Sequence, residues 1–270
     1  MKIFFYVILG SFLLWITGLG FFSEAYALNL GTNITIYDGS GTGTGWYGKY
    51  EDQEVEPGCV ASQRWDLEGF FLKGSELQVV GGFDFLKGNE QIFIGDIYID
   101  IDGIIGTSNT YSNGNNSVNE NFGYEYVIDL DFSDKDSLSY KIIALNDSSF
   151  NYTVYWQKWS GHPDGNSNSN PYRYVSGGTE VGSGTFAYIP GLSDSQVANL
   201  EGGTHYALTG IDVGFISGED FTAHLTMGCG NDNLMGQGTA PVPEPATLVL
   251  MGMGLAGLSG FSRRKINKKA

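Results

Sequence analysis

From 221 to 229 every second residue is apolar: Phe221, Ala223, Leu225, Met227 and Cys229 share one phase, and Thr222, His224 and Thr226 take the other. A period of two is the mark of a strand with one face in a core, and it argues against a helix there. The same alternation in 124–132 groups Tyr124, Tyr126, Ile128, Leu130 and Phe132. In 91–102 the phase changes: Ile92 and Ile94 hold one, and Ile97, Ile99 and Ile101 the other. One extra residue at Gly95-Asp96 would restore the register, so a β-bulge is predicted there. Further strands are expected at 32–37, 76–85, 138–145, 152–158, 185–189 and 211–215. Gly/Asn/Ser loops separate them, the longest at 106–119 and 161–170. One short helix is expected after Ser193, which with Gln196 forms a capping box; Leu192 staples onto Val197 and Gly202 ends it. No repeat of 20 to 50 residues is visible, which argues against a solenoid or propeller. The fold class predicted for residues 28–240 is all-β: a single jelly-roll-like β-sandwich with one short helix.

The two ends have a different composition. Residues 1–27 open with Lys2, continue through an apolar stretch at 3–22 and finish on Ala25-Tyr26-Ala27. That order is a signal peptide, with Ala25 and Ala27 as the small residues a signal peptidase needs for cleavage after Ala27. At the other end Pro243-Glu244-Pro245 precedes an apolar stretch, 246–261, and then a basic stop, Arg263-Arg264-Lys265. Sixteen helical residues cover about 24 Å, slightly less than a hydrocarbon core of about 30 Å, so a transmembrane helix is expected with its flanks completing the crossing. The basic cluster should stay cytoplasmic. The prolines force an extended backbone around Glu244, which a protease can bind without unwinding a helix.

At 242–265 the sequence resembles the PEP-CTERM sorting domain of bacterial exosortase substrates. The resemblance implies that residues 241–270 are a sorting signal. Its processing enzyme would be exosortase, an integral-membrane, cysteine transpeptidase-like protein of Gram-negative bacteria that make exopolysaccharide. The body is also similar to ectodomains of certain PEP-CTERM proteins, through Trp65-Asp66-Leu67-Glu68, Gly81-Gly82-Phe83-Asp84-Phe85, 95–100 and 224–232. That similarity implies placement and fold, not chemistry. The implied life history is an exported precursor anchored in the inner membrane, then a protein of the cell surface or extracellular matrix, associated with exopolysaccharide. Its partners would be the export machinery, signal peptidase and exosortase.

The formal net charge is −16, and six of the 14 basic residues (Lys2, Arg263, Arg264, Lys265, Lys268 and Lys269) lie at the termini. A body more acidic than the whole repels phosphate backbones, so nucleic acid is excluded as a partner. Cys59 and Cys229 are the only cysteines. An even pair in an exported chain predicts a disulfide, worth up to roughly 5 kcal/mol across so long a loop.

Catalytic motifs are missing: there is no H-E-x-x-H, G-x-S-x-G or phosphate loop. The chain is therefore expected not to be an enzyme and to need no cofactor. The weaker alternatives are a carbohydrate-binding module or a secreted hydrolase. Structural calcium is the sharper possibility, since Asp96, Asp100, Asp102, Asp129 and Asp131 could supply oxygen ligands, although alternating Asp is more often a strand's wet face. Trp46, Trp159 and Tyr172 are candidates for stacking on a sugar, an aromatic ring packing well on a pyranose face.

Overall fold

The chain is described by a computed structural model, and the description covers residues 26–37, 51–56, 59–103, 117–155, 169–242, 251, 253, 255 and 256. The signal-cleavage residue Ala25, Trp46, Trp159, Pro243, Glu244, Pro245 and Arg263 to Lys265 lie outside these residues. Within the proposed membrane segment the described residues, Met251, Met253, Leu255 and Ala256, are helical. Among the described residues no helix is long and apolar enough to cross a membrane.

The alternating segments form strands. In chain order they are β1 (Thr32–Asn33), β2 (Thr35–Ile36), β3 (Leu67–Lys73), β4 (Glu76–Gly81), β5 (Ile97–Asp100), β6 (Ser117–Val118), β7 (Tyr126–Asp131) and β8 (Ser139–Ala144). There follow β9 (Phe150–Tyr155), β10 (Ser169–Ser176), β11 (Thr179–Thr185), β12 (Ala187–Leu192), β13 (His205–Asp212), β14 (Asp220–Thr226) and β15 (Asn233–Thr239). They build a five-stranded sheet, β1-β3-β4-β13-β12, and a seven-stranded sheet, β11-β8-β7-β5-β14-β15-β2. Phe70, Leu77, Val79, Leu208 and Ile211 of the first sheet share one core with Ile97, Ile99, Ile128, Phe221, Ala223 and Leu225 of the second. The arrangement is an all-β sandwich.

At both edges of the sandwich the chain passes from one sheet to the other. β1 pairs with β3 in one sheet, and two residues later β2 pairs with β15 in the other. Ile34 sits between, donating its N–H to Phe70 O and accepting from Gln237 N. On the opposite side β11 ends the seven-stranded sheet and β12 the five-stranded one, joined through buried Phe186. Handing one strand from sheet to sheet leaves less free edge for another chain to pair with. Gly236 meets Phe70 between the sheets: a Cβ on Gly236 would lie 2.8 Å from Phe70 Cβ. Gly236→Ala is therefore expected to cost about 1–3 kcal/mol by overpacking, read as a shift in the urea midpoint without a change in slope.

A third sheet, β10-β9-β6, packs on the outer face of the seven-stranded one. This explains why every residue of β5 is buried. Ile97 and Ile99 face the sandwich core, while Tyr98 faces the third sheet, clustered with Phe122, Tyr124, Val127 and Ile143. The Tyr98 hydroxyl donates to Asn151 Oδ1 at 3.0 Å.

The predicted bulge is present. β5 pairs Tyr98 with His224, yet Ile94 bridges Met227. Four steps on one strand therefore oppose three on the other, and the added residue falls at Gly95-Asp96.

Three expectations are corrected. Neither main sheet has the four strands of a jelly roll, because hairpins β3–β4, β7–β8, β12–β13 and β14–β15 widen both sheets. The helix expected after Ser193 is a 3₁₀ turn of three residues, Asp194–Gln196, one of four such turns among the described residues of the body. The capping box forms, Ser193 N–H donating to Gln196 Oε1, but Ala198 and Asn199 adopt positive φ (61° and 63°) and stop the turn. Lastly, the structure holds no bond between Cys59 and Cys229, where the sequence led us to expect one. The fold does bring their segments together, with Cys59 Sγ 4.0 Å from Gly230 O and Asn231 hydrogen-bonded to both Val60 N and O. Burial, with Glu56 beside it, pushes the Cys59 thiol up to about 12. That opposes the thiolate which disulfide chemistry requires.

Candidate functional site

Polar residues inside this fold gather in two places, and both are acidic. The first surrounds the start of β3. Trp65 and Leu67 point into the core, so the alternation sends Asp66 and Glu68 to the other face. That face is covered in turn. Leu192, Val197 and Leu200 lie over Phe71, Val80 and Ala207 of the five-stranded sheet. Glu51, Glu54, Glu56, Asp66, Glu68 and Asp232 end up no more than 6% exposed. Carboxylates are rarely so buried without a partner.

Their partners are mostly backbone N–H groups and one imidazole. Asp66 Oδ2 accepts from Gln53 N at 3.0 Å, and Asp232 accepts from Leu67 N and Asn233 N. Asp52, half-buried beside them, accepts from Glu201 N at 2.9 Å. His205 lies fully buried between two carboxylates, with Nδ1 2.7 Å from Glu68 Oε2 and Nε2 2.9 Å from Asp194 Oδ1. Burial works against its charge, but the bonds to Glu68 and Asp194 raise its pKa overall. A ring donating from both nitrogens has no free lone pair with which to take a proton from a nucleophile. Burial drives Asp66 and Asp232 well above the usual carboxylate range, and Glu68 to about 7. Asp52, Asp66 and Glu68 each bring one oxygen within 4.8 Å of the others.

The second place follows β5. Asp100, Asp102 and Glu125 also bring their oxygens within 4.8 Å of one another. Here Glu125 accepts from Ile101 N at 2.7 Å and Asp100 from Gly103 N at 3.2 Å.

The structure therefore divides the acidic residues that the sequence had grouped. Asp100 and Asp102 stay together and gain Glu125. Asp96 turns away: Oδ1 accepts from Leu130 N at 3.0 Å and Oδ2 from Tyr174 N at 2.8 Å, so both oxygens hold backbone. Burial, then the charge on Asp129, raises its pKa to about 7. Asp129 and Asp131 line a groove with Lys141 and Arg173 instead. Ser133 holds the exposed Asp131 below its ordinary value. Tyr172 is half-buried, its hydroxyl donating to Phe93 O at 3.1 Å and its ring close against Gly95 and Gly228.

The Glu51–Glu56 carboxylates, Asp66, Glu68, His205 and Asp232 are not among the site residues expected from the sequence, where 65–68 and 224–232 carry only a resemblance. A signal existed in four acids among six residues at 51–56, and in the polar phase of Trp65-Asp66-Leu67-Glu68. Reading it required knowing that loops cover the outer face of β3.

Comparison with curated proteins and with solved structures gives no match. Residues 241–265, by contrast, match the PEP-CTERM protein-sorting motif. This segment begins where the last described strand, β15, has just left the sandwich. The match speaks for the tail, and through it the chain is a PEP-CTERM protein, an exosortase substrate targeted to the cell exterior.

Proposed function

We propose that this protein is a non-catalytic component of the bacterial surface or extracellular matrix, associated with exopolysaccharide, whose C-terminal helix and basic tail are removed by exosortase. The observation that carries the reading is the sorting motif at 241–265. The order of its parts supports removal over permanent anchoring. A simple anchor needs the apolar stretch and Arg263-Arg264-Lys265, but has no use for a rigid Pro243-Glu244-Pro245 step. The body supports a structural role. Buried His205 has both ring nitrogens engaged by carboxylates, and at the sandwich edge β1 and β2 pass from one sheet to the other.

Glu244→Ala is the test. Export should proceed, while full-length precursor accumulates in the membrane fraction and the matrix is depleted of the protein. Mature protein from the native host should lack 263–270 by intact mass. Mature protein that still carries those residues would establish a plain membrane anchor instead.

A further inference from the structure

We propose that Asp52, Asp66 and Glu68 form a calcium site that ties the 51–56 segment to the start of β3. Two observations converge on it. The three carboxylates bring oxygens within 4.8 Å of one another. Ligands on opposite sides of a Ca²⁺ at about 2.4 Å are about that far apart, so all three can reach one ion. Second, Asp66 is fully buried, and while its Oδ2 accepts the Gln53 N–H, its Oδ1 has no hydrogen-bond donor. An orphaned carboxylate oxygen in a protein interior costs far more than one facing water, and a cation relieves that cost directly.

The donor set is therefore all oxygen, three carboxylates. Hard oxygen ligands in irregular positions suit calcium, whereas magnesium demands a near-ideal octahedron and zinc prefers nitrogen or sulfur. Backbone geometry sets the ligands in place. Gln53 takes a positive φ of 61°, which aims its N–H at Asp66, and Glu201 N holds Asp52 from the 194–203 loop. An ion here would join three separate stretches of chain: 51–56, 63–68 and, through Asp52, the loop before β13. The Asp100–Asp102–Glu125 group is the natural comparison, since it has similar carboxylate spacing but lies elsewhere in the fold.

The experiment uses the exported protein isolated from its host. Melting in excess calcium should exceed melting in excess EGTA by about 5–10 °C at a hundredfold excess of ion over Kd. Asp66→Asn should abolish that difference while melting in EGTA at or above the wild-type temperature, because it removes a buried ionisable group. Asp102→Asn should keep the difference. Terbium, used as a calcium surrogate, should luminesce on excitation of tryptophan, Trp65 being the neighbour of Asp66, and calcium should quench it by competition. If Asp66→Asn does not fold, Asp52→Asn in the half-buried position is expected to weaken terbium binding at least tenfold. Equal melting in calcium and EGTA overturns the proposal. So does a calcium effect that survives Asp66→Asn and disappears in Asp102→Asn.

Discussion

Asp96→Ala is expected to destabilise the protein by roughly 3 kcal/mol, because it strips the hydrogen-bond acceptor from two amides at once. Leu130 N lies in β7 and Tyr174 N in β10, and the two oxygens of Asp96 are what bind them. The bulge makes this possible. With the added residue at Gly95-Asp96, Gly95 N still donates to Thr226 O inside the seven-stranded sheet, while Asp96 N turns outward to Tyr172 O in the third sheet. Gly95 cannot carry a side chain there, since a Cβ would sit 2.1 Å from Tyr172 O. Loss of the carboxylate should therefore loosen β10 and β9 from the sandwich before the core melts. Hydrogen exchange would show faster exchange at Leu130 and Tyr174 than at core amides such as Val79. Asp96→Asn should recover part of the loss: an amide oxygen can accept from one N–H, but its NH₂ confronts the other. An alanine variant within about 0.5 kcal/mol of wild type in urea would mean that Asp96 does not join the sheets.

In EGTA the protein is expected to be most stable near pH 5 and to lose stability steadily towards pH 8. Folding raises the pKa of Asp96 and of Glu68 to about 7, and puts Asp66 and Asp232 well above their ordinary values, in each case chiefly through burial. Between the unfolded value near 4 and the raised folded value, the native state holds protons that the unfolded chain has already released. Stability must then fall as pH rises through that window. For Asp96 alone, the distance from 3.8 to about 7 corresponds to roughly 4 kcal/mol. His224 works in the opposite direction. It is buried against Tyr98 and Tyr124, and burial lowers its pKa to about 4, so its contribution is lost as pH falls from 6.5 towards 4. One histidine does not outweigh four carboxylates until the carboxylates are all protonated. Melting temperature should rise by on the order of 10 °C from pH 8 to pH 5 and then decline. A flat profile, or one that peaks above pH 7, would mean that these carboxylates ionise at ordinary values and are better solvated than the fold indicates.

Local patterning determined the strands whose two faces differ. The alternation places the apolar phase of β14 and of β7 in the sandwich core, although Thr222, His224 and Thr226 are buried as well, Cys229 is exposed and Tyr124 joins the outer cluster; the phase change at Gly95-Asp96 is met by an added residue. The tail was legible for a similar reason. Prolines, an apolar run and a basic cluster act through their immediate order, without help from the rest of the chain. By contrast β11 (Thr-Glu-Val-Gly-Ser-Gly-Thr) and β15 (Asn-Leu-Met-Gly-Gln-Gly-Thr) carry little alternation of their own. They are strands because β8 and β14 offer them hydrogen bonds, and Gly236 is tolerated because Phe70 needs its space. Only the tertiary structure decided which acids meet. Asp96 and Asp100 stand four residues apart, yet Asp96 falls in the bulge and is spent on backbone amides while Asp100 ends β5 and joins Glu125 from the segment before β7. Asp52, Asp66 and Glu68 come from two segments of chain that nothing in their spacing links. A carboxylate's role follows from what covers it, and burial is a property of the assembled sheets and loops rather than of the order of residues along the chain.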